Sequence, residues 1–329
     1  MSTPTKPPTP PTNLQRVLES GGFAVAAEIS PPRGVNLEAI KSNVRMLSGY
    51  VDALNVTDNQ GASVRAASIP VCAIILREGA EPVAQMTCRD RNRIGMQSDL
   101  LGAALLGIRN LLCLTGDHMR WGDHPHAKPV FAIDSLHLLR MAREMRDQGR
   151  LDNGRRVKPA PDFFLGAAAN PFAPPYDYRP LRLAKKIDAG AQFIQTQLIF
   201  NVDRFRAFMA RVRELGLHKK AHILAGVGPL KSERQAQFMA TEVPGMEVPP
   251  EIVRRMERTP KAAQAEEGIQ ICCEIVDQIR EIPGLSGVHI MPVHWAEAVP
   301  EIVKRSGLDA LRRERRRSAS SEDADVSAA

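Results

Sequence analysis

Eight short apolar runs recur along the chain, at residues 23–29, 51–56, 82–86, 110–114, 163–169, 192–196, 222–225 and 287–291. Each is followed, after a turn, by a stretch with apolar residues at helical spacing. A run of this kind reads as a short, buried strand. A strand–helix unit repeated eight times predicts an α/β fold, a (β/α)8 TIM barrel forming a single domain over residues 13–308. The competing architecture, a doubly wound sheet, lacks its Gly-x-Gly-x-x-Gly after an early strand. The stretch Gly226-Val227-Gly228-Pro229-Leu230-Lys231-Ser232 has the wrong glycine–lysine spacing for a phosphate loop. Residues 1–12 are rich in Pro and Thr, and 309–329 run from Arg-rich to Ser/Asp-rich; both are expected to be disordered.

Composition narrows the functional classes. With 43% hydrophobic residues in 329, the chain can build a sizeable core. The formal net charge is +7, but Arg312, Arg313, Arg315, Arg316 and Arg317 carry much of it. The basicity is therefore a property of the tail, and no aromatic-and-basic pattern points to nucleic acid. The five cysteines lie mostly in apolar runs and form no Cys-x-x-Cys pair. They read as reduced core residues, which argues against an iron–sulfur or structural zinc site in this chain. No run has the length of a membrane helix and the N-terminus has no apolar signal core, so a cytoplasmic location is expected.

In a (β/α)8 barrel, chemistry gathers at the carboxyl ends of the strands. Those ends carry Glu28, Thr57, Asn59, Gln85, Thr87, Asp117, Asn170, Gln197 and either His289 or His294. There is no nucleophile elbow and no strand-end lysine for a Schiff base. Two carboxylates among several amides suit a neutral, heteroaromatic, hydrogen-bonding ligand. Plainer readings stand beside this one. Asp117 could cap a helix or close a turn, Glu28 could be a solvated turn residue, and Gln197 could bond a neighbouring loop. His118, His124 and His126, with Asp117 and Asp123, read as a solvated loop, and no metal is expected.

Five segments carry more. They are Ala27-Glu28-Ile29-Ser30-Pro31-Pro32, Asn55-Val56-Thr57-Asp58-Asn59-Gln60, Leu114-Thr115-Gly116-Asp117, Asp188-Ala189-Gly190-Ala191 and Thr196-Gln197. In that order and at that spacing, the chain from 23 to 308 resembles the methylenetetrahydrofolate reductase family. Residues 85–93 and 166–171 are most similar to the branch found in acetogens and some methylotrophs. The resemblance implies a barrel holding a flavin, FAD or alternatively FMN. It also implies ping-pong reduction of 5,10-methylenetetrahydrofolate to 5-methyltetrahydrofolate by NAD(P)H or another donor, or the reverse reaction.

By the same resemblance Glu28 is the general acid toward folate N10, opening the ring to a 5-iminium cation, and Asp117 is a fixed negative charge beneath that cation. Gln197 and Gln235 fall on folate-binding amides, and Phe238 on an aromatic that stacks on substrate or nicotinamide. Thr57, Gln85, Leu114, Gly116, Asp117, Ala132, Asp134, Asn170 and Lys186 fall on flavin-contact positions. The chain departs from the family pattern in places. Gln85 stands for a His, Thr115 for an Arg, Asn170 and Pro174 for a Tyr and a His, and His294-Trp295 for Asn-Arg. Implied partners are tetrahydrofolate derivatives, NAD(P)H, a separate iron–sulfur or zinc electron-transfer subunit and a second copy of the chain. A pterin-binding methyltransferase acting with a corrinoid partner, or a folate-binding subunit without its own flavin, would share the pterin-binding amides.

Overall fold

The computed structural model describes residues 10–327, with side chains through Arg317. Among the described residues eight parallel strands close on themselves in sequence order: β1 Ala24–Ile29, β2 Ala53–Val56, β3 Pro82–Thr87, β4 Asn110–Leu114, β5 Phe164–Ala169, β6 Phe193–Leu198, β7 His222–Val227 and β8 Gly287–Ile290. Twelve α-helices accompany them: α1 Asn13–Glu19, α2 Leu37–Leu47, α3 Ser68–Arg77, α4 Arg93–Leu105, α5 Ser135–Gln148, α6 Tyr178–Ala189, α7 Val202–Glu214, α8 Glu233–Thr241, α9 Pro250–Arg258, α10 Gln264–Arg280, α11 Ala298–Arg305 and α12 Leu308–Ser327. This is the (β/α)8 barrel that the alternating pattern predicts. No helix among the described residues is long and apolar enough to cross a membrane.

The alternation of side chains along each strand sorts the core into two shells. Val25, Ala27, Leu54, Val56, Ala84, Met86, Leu165, Ala167, Val288 and Ile290 point outward to the helices. Ala24, Ala26, Ala53, Val83, Leu112, Phe164, Phe193 and Leu224 point inward, and α1 plugs the amino-terminal end beneath them with Leu14, Val17 and Leu18. Phe193 stacks on Phe164 at 5.1 Å and lies over its strand partner Gly166, where a Cβ would lie 2.2 Å from its ring. Above this apolar floor, Asn55 and Gln195 join opposite walls by a reciprocal amide pair of 2.6 and 3.1 Å. From that layer upward the interior is polar, so the packed floor sets the depth of the site.

The termini depart from expectation only where the structure describes them. Residues 1–9 of the expected disordered start lie outside the described residues, but Thr12 is buried and caps α1. Its hydroxyl donates to Asn110 Oδ1 at 2.7 Å and accepts from Gln15 N. The tail expected to be unfolded from 309 is instead the helix α12, with Arg312 only 1% exposed. Arg312 and Arg315 both reach Asp52 Oδ1, at 3.1 and 2.5 Å. A charge run that looks solvated by composition is here paired with a carboxylate at the base of the barrel. The five cysteines are free and buried, as read from the sequence.

Candidate active site

The carboxyl ends of the strands enclose a cavity of about 400 Å3 on the barrel axis. Ten of the anticipated residues line it: Glu28, Thr57, Asn59, Gln85, Thr87, Leu114, Gly116, Asp117, Lys186 and Gln197. They arrive from the ends of β1, β2, β3, β4 and β6, the loops that follow, and α6, as the fold requires. Glu28 ends the inward face of β1 and is 8% exposed. Its Oε1 accepts from Gln60 Nε2 and its Oε2 from Gln85 Nε2, both at 3.4 Å, and His289 Nε2 lies 3.9 Å from Oε2. The acid is thus held in a cup of neutral amides and an imidazole. Asp117 stands at the opposite rim, exposed, and its carboxylate makes no hydrogen bond among the described residues. One buried acid and one open carboxylate therefore face the same space.

Local backbone features aim these groups. The β6–β7 register shifts between Gln195 and Leu198, a bulge that redirects Gln197. Thr196 Oγ1 bridges the irregularity, accepting from Gly226 N at 2.8 Å. A Cβ at Gly226 would meet Thr196 O at 2.3 Å, so only glycine permits that approach. Gly116 has φ +92° and rests on Thr87 and Arg89, with an added Cβ 3.1 Å from each Cβ. A side chain there would be strained and would push the Asp117 loop outward. Thr57 Oγ1 is buried and aimed into this region with no hydrogen-bond partner among the described residues. An orphaned hydroxyl in a cavity wall is a binding group awaiting a ligand.

Lys186, reaching in from α6, donates to Ala168 O at 2.5 Å. Burial, reinforced by the Arg182 charge and opposed by Asp134, pushes its ammonium down to about 8. The unfolded chain therefore binds this proton more tightly between pH 8 and 10.5, and the group's contribution to stability rises with pH across that window. Lys186→Met is expected to stabilise the ligand-free protein at neutral pH by an amount on the order of 2 kcal/mol. That advantage should shrink as the pH is raised to 10. Denaturant unfolding of both proteins at pH 7 and 10 checks this; an advantage that does not change with pH would assign it to packing alone.

Other anticipated residues lie outside the cavity lining. Asp134 caps α5, accepting from Leu136 N, His137 N and His137 Nδ1. Burial works to raise its pKa, but these bonds and the neighbouring cations hold it below its usual value. Ala132 precedes it on the same exposed loop. Asn170 spends its Oδ1 on Phe172 N at 2.9 Å. Gln235 and Phe238 lie on α8; Gln235 Oε1 accepts from Lys231 N, and Phe238 is 57% exposed. No group of three or more His, Cys, Asp or Glu among the described residues could hold a metal ion.

A charged frame behind the mouth is what sequence reasoning missed. Asp58 accepts from Thr87 N and Oγ1, at 2.8 and 2.9 Å, and takes a bidentate pair from Arg91, at 2.6 and 3.1 Å. Arg91 reaches on to Asp99 at 2.7 Å. Arg89, 1% exposed, pairs with Asp90 and donates to Asn59 O and Asp117 O. These pairs lock the β2, β3 and β4 loops together. The signal in the sequence is the run Arg89-Asp90-Arg91 directly after a strand, a place where solvated charge would have no reason to be fixed.

A profile described as Methylenetetrahydrofolate reductase matches residues 13–307. Methylenetetrahydrofolate reductase 2 of Schizosaccharomyces pombe is 26% identical over 312 residues, which cover 88% of this chain and 46% of its own length. The 5,10-methylenetetrahydrofolate reductase of Pectobacterium carotovorum is 28% identical over 229 residues, 67% of this chain and 69% of that one. The chain spans about half the length, or less, of the eukaryotic relatives it matches. Among solved structures, a Clostridium thermocellum protein that binds two copies of 5-methyl-5,6,7,8-tetrahydrofolic acid has TM-score 0.65 at 13% identity, over 91% of this chain and 99% of that one. At that identity the likeness is one of fold.

Proposed function

The chain belongs to the methylenetetrahydrofolate reductase family, and from that premise we propose that it reduces 5,10-methylenetetrahydrofolate to 5-methyltetrahydrofolate, with a flavin as hydride carrier and NAD(P)H as donor. The observation that carries this reading is the pairing of buried Glu28 and open Asp117 across one cavity. Opening the folate five-membered ring needs a proton at N10, and a cationic centre then develops at N5. Glu28, held among amides deep in the barrel, is suited to donate the proton. Asp117, fixed by the Gly116 turn, is suited to stabilise the cation from the other side. Gln197, in the cavity wall, is suited to hold the pterin edge by hydrogen bonds, and Gln235 and Phe238 on α8 are assigned to the rest of the substrate.

The residues present fit a flavin ring. Thr57 offers an unpartnered hydroxyl, Lys186 an ammonium with donors to spare, and Gly116 and Ala168 a wall with little side-chain bulk. When bound there, the flavin would take a hydride from NAD(P)H and pass it to the methylene carbon. Gln85 faces this site from β3 and orients Glu28. The same groups serve the reverse reaction. Five unpaired cysteines agree with work in a reducing compartment, the cytoplasm.

The purified protein, supplied with FAD or FMN, is expected to turn yellow. It should bleach under NADH or NADPH and regain its absorbance on adding 5,10-methylenetetrahydrofolate. Bleaching by dithionite but by neither nicotinamide would assign electron supply to a separate subunit. Failure to bind either flavin would overturn the mechanism.

A further inference from the structure

A second cavity, of about 210 Å3, lies off the barrel axis between α2 and the β8–α11 loop. Its walls are Glu28, Ile29 and Ser30 at the end of β1, Asn43 on α2 and residues 292–297. Glu28 lines this cavity and the central one alike. The side cavity thus starts at a buried carboxylate and ends at His294 and Glu297, both exposed. Gln60 stands between the two spaces. Its Nε2 donates to Glu28 Oε1 at 3.4 Å, and its Oε1 accepts from Ser30 Oγ at 3.2 Å.

The outer rim has an unusual backbone. Val293 and His294 are consecutive non-glycine residues with left-handed φ, 43° and 63°. Such strain persists only where neighbouring structure imposes it. Arg65 is one such neighbour: its Nη1 donates to Pro31 O at 3.1 Å and its Nη2 lies 3.5 Å from His294 Nε2. Burial, then the Arg65 and Arg33 charges, hold the His294 imidazole below its usual pKa, with Glu28 pulling the other way. The remaining titratable group beside Glu28, His289, is 2% exposed and lies inside the barrel.

The proposed reaction consumes one proton per turnover. The bond from the methylene carbon to N10 breaks, N10 takes a proton from the Glu28 carboxyl, and hydride forms the new C–H bond. Glu28 is left as a carboxylate beneath a central cavity filled by cofactor and product. We propose that Glu28 regains its proton from solvent through the side cavity, with His294 as the relay at its outer end. The inference rests on the reductase reading above. It makes His294 a positioning residue for proton supply, acting through Glu28 and touching no substrate.

His294→Asn tests it, because asparagine tolerates the left-handed backbone and has no titratable group. In flavin-loaded, pre-reduced enzyme mixed with 5,10-methylenetetrahydrofolate, the first turnover precedes any resupply of protons to Glu28. It should stay within about twofold of wild type, while steady-state turnover falls about tenfold and recovers when imidazole is added. Asn43→Leu, which fills the side cavity from α2, should lower steady-state turnover similarly without rescue by imidazole. Steady-state rates unchanged in both variants overturn the relay. So does a His294→Asn first turnover reduced as much as steady state and not restored by imidazole. Wild-type protein that turns over no methylenetetrahydrofolate overturns the reductase reading and the relay with it; an active wild type with unaltered variants overturns the relay alone.

Discussion

Glu28→Gln is expected to separate the two halves of the reaction. Reduction of bound flavin by NAD(P)H should stay within about threefold of wild type, while reoxidation by 5,10-methylenetetrahydrofolate should slow by about a thousandfold. Glutamine matches the shape of glutamate and can still meet Gln60 and Gln85, whose amides lie 3.4 Å from the carboxylate. The cavity should therefore keep its form and its hold on the flavin. What glutamine lacks is a proton to release. The other carboxylates of the cavity cannot stand in: Asp58 is held by Arg91 and Thr87, and Asp117 is at the exposed rim, set by the left-handed Gly116 turn. Stopped-flow absorbance of the two half-reactions reads both effects. Equal losses in both would mean that Glu28 shapes the site and that the acid lies elsewhere.

The barrel was legible because its signal is local. Each strand is a run of buried apolar residues and each helix a periodic stripe, so eight units can be counted without knowing how they meet. Strand ends were legible for the same reason, and they led to Glu28, Thr57, Gln85, Asp117 and Gln197 around one mouth. The end of β6 was less so. Periodicity stops at 196, but the strand continues to Leu198 through a bulge that no apolar pattern encodes. Resemblance carried Lys186, which no strand-end rule selects because it sits on α6. It also named Asn170, Ala132 and Asp134, whose side chains serve local turns and caps or lie outside the cavity lining. Long-range charge pairing was not legible. Asp58 meets Arg91 across 33 residues and Asp52 meets Arg312 across 260. A charged side chain announces its sign in the sequence but not its partner, so a solvated surface and a buried clamp read alike.

The clamp at the base of the barrel leads to the second large effect, on stability. Arg312 donates to Asp52 Oδ1, to Gly49 O at 2.9 Å and to Val51 O at 2.5 Å. Arg315 donates to Asp52 Oδ1 and to Phe23 O at 2.8 Å. Asp52 Oδ2 accepts from Val25 N at 2.9 Å. One carboxylate and two guanidiniums from α12 thus hold the segments that enter β1 and β2. Arg312→Leu leaves Asp52 buried with half its charge partners and two carbonyls unmet, at a cost of about 3 kcal/mol. Asp52→Leu should cost a similar amount, stranding both arginines. The double variant should cost less than the sum, because an apolar pair leaves neither charge buried alone. Urea unfolding of the three proteins measures this, and a loss below about 0.5 kcal/mol for Arg312→Leu would reduce α12 to a surface appendage. Folate turnover in the folded fraction should be unchanged, since the clamp and the mouth lie at opposite ends of the strands. Arg312 and Arg315 are then a structural closure of the barrel's amino-terminal end, so part of the Arg-rich run serves to hold the fold together.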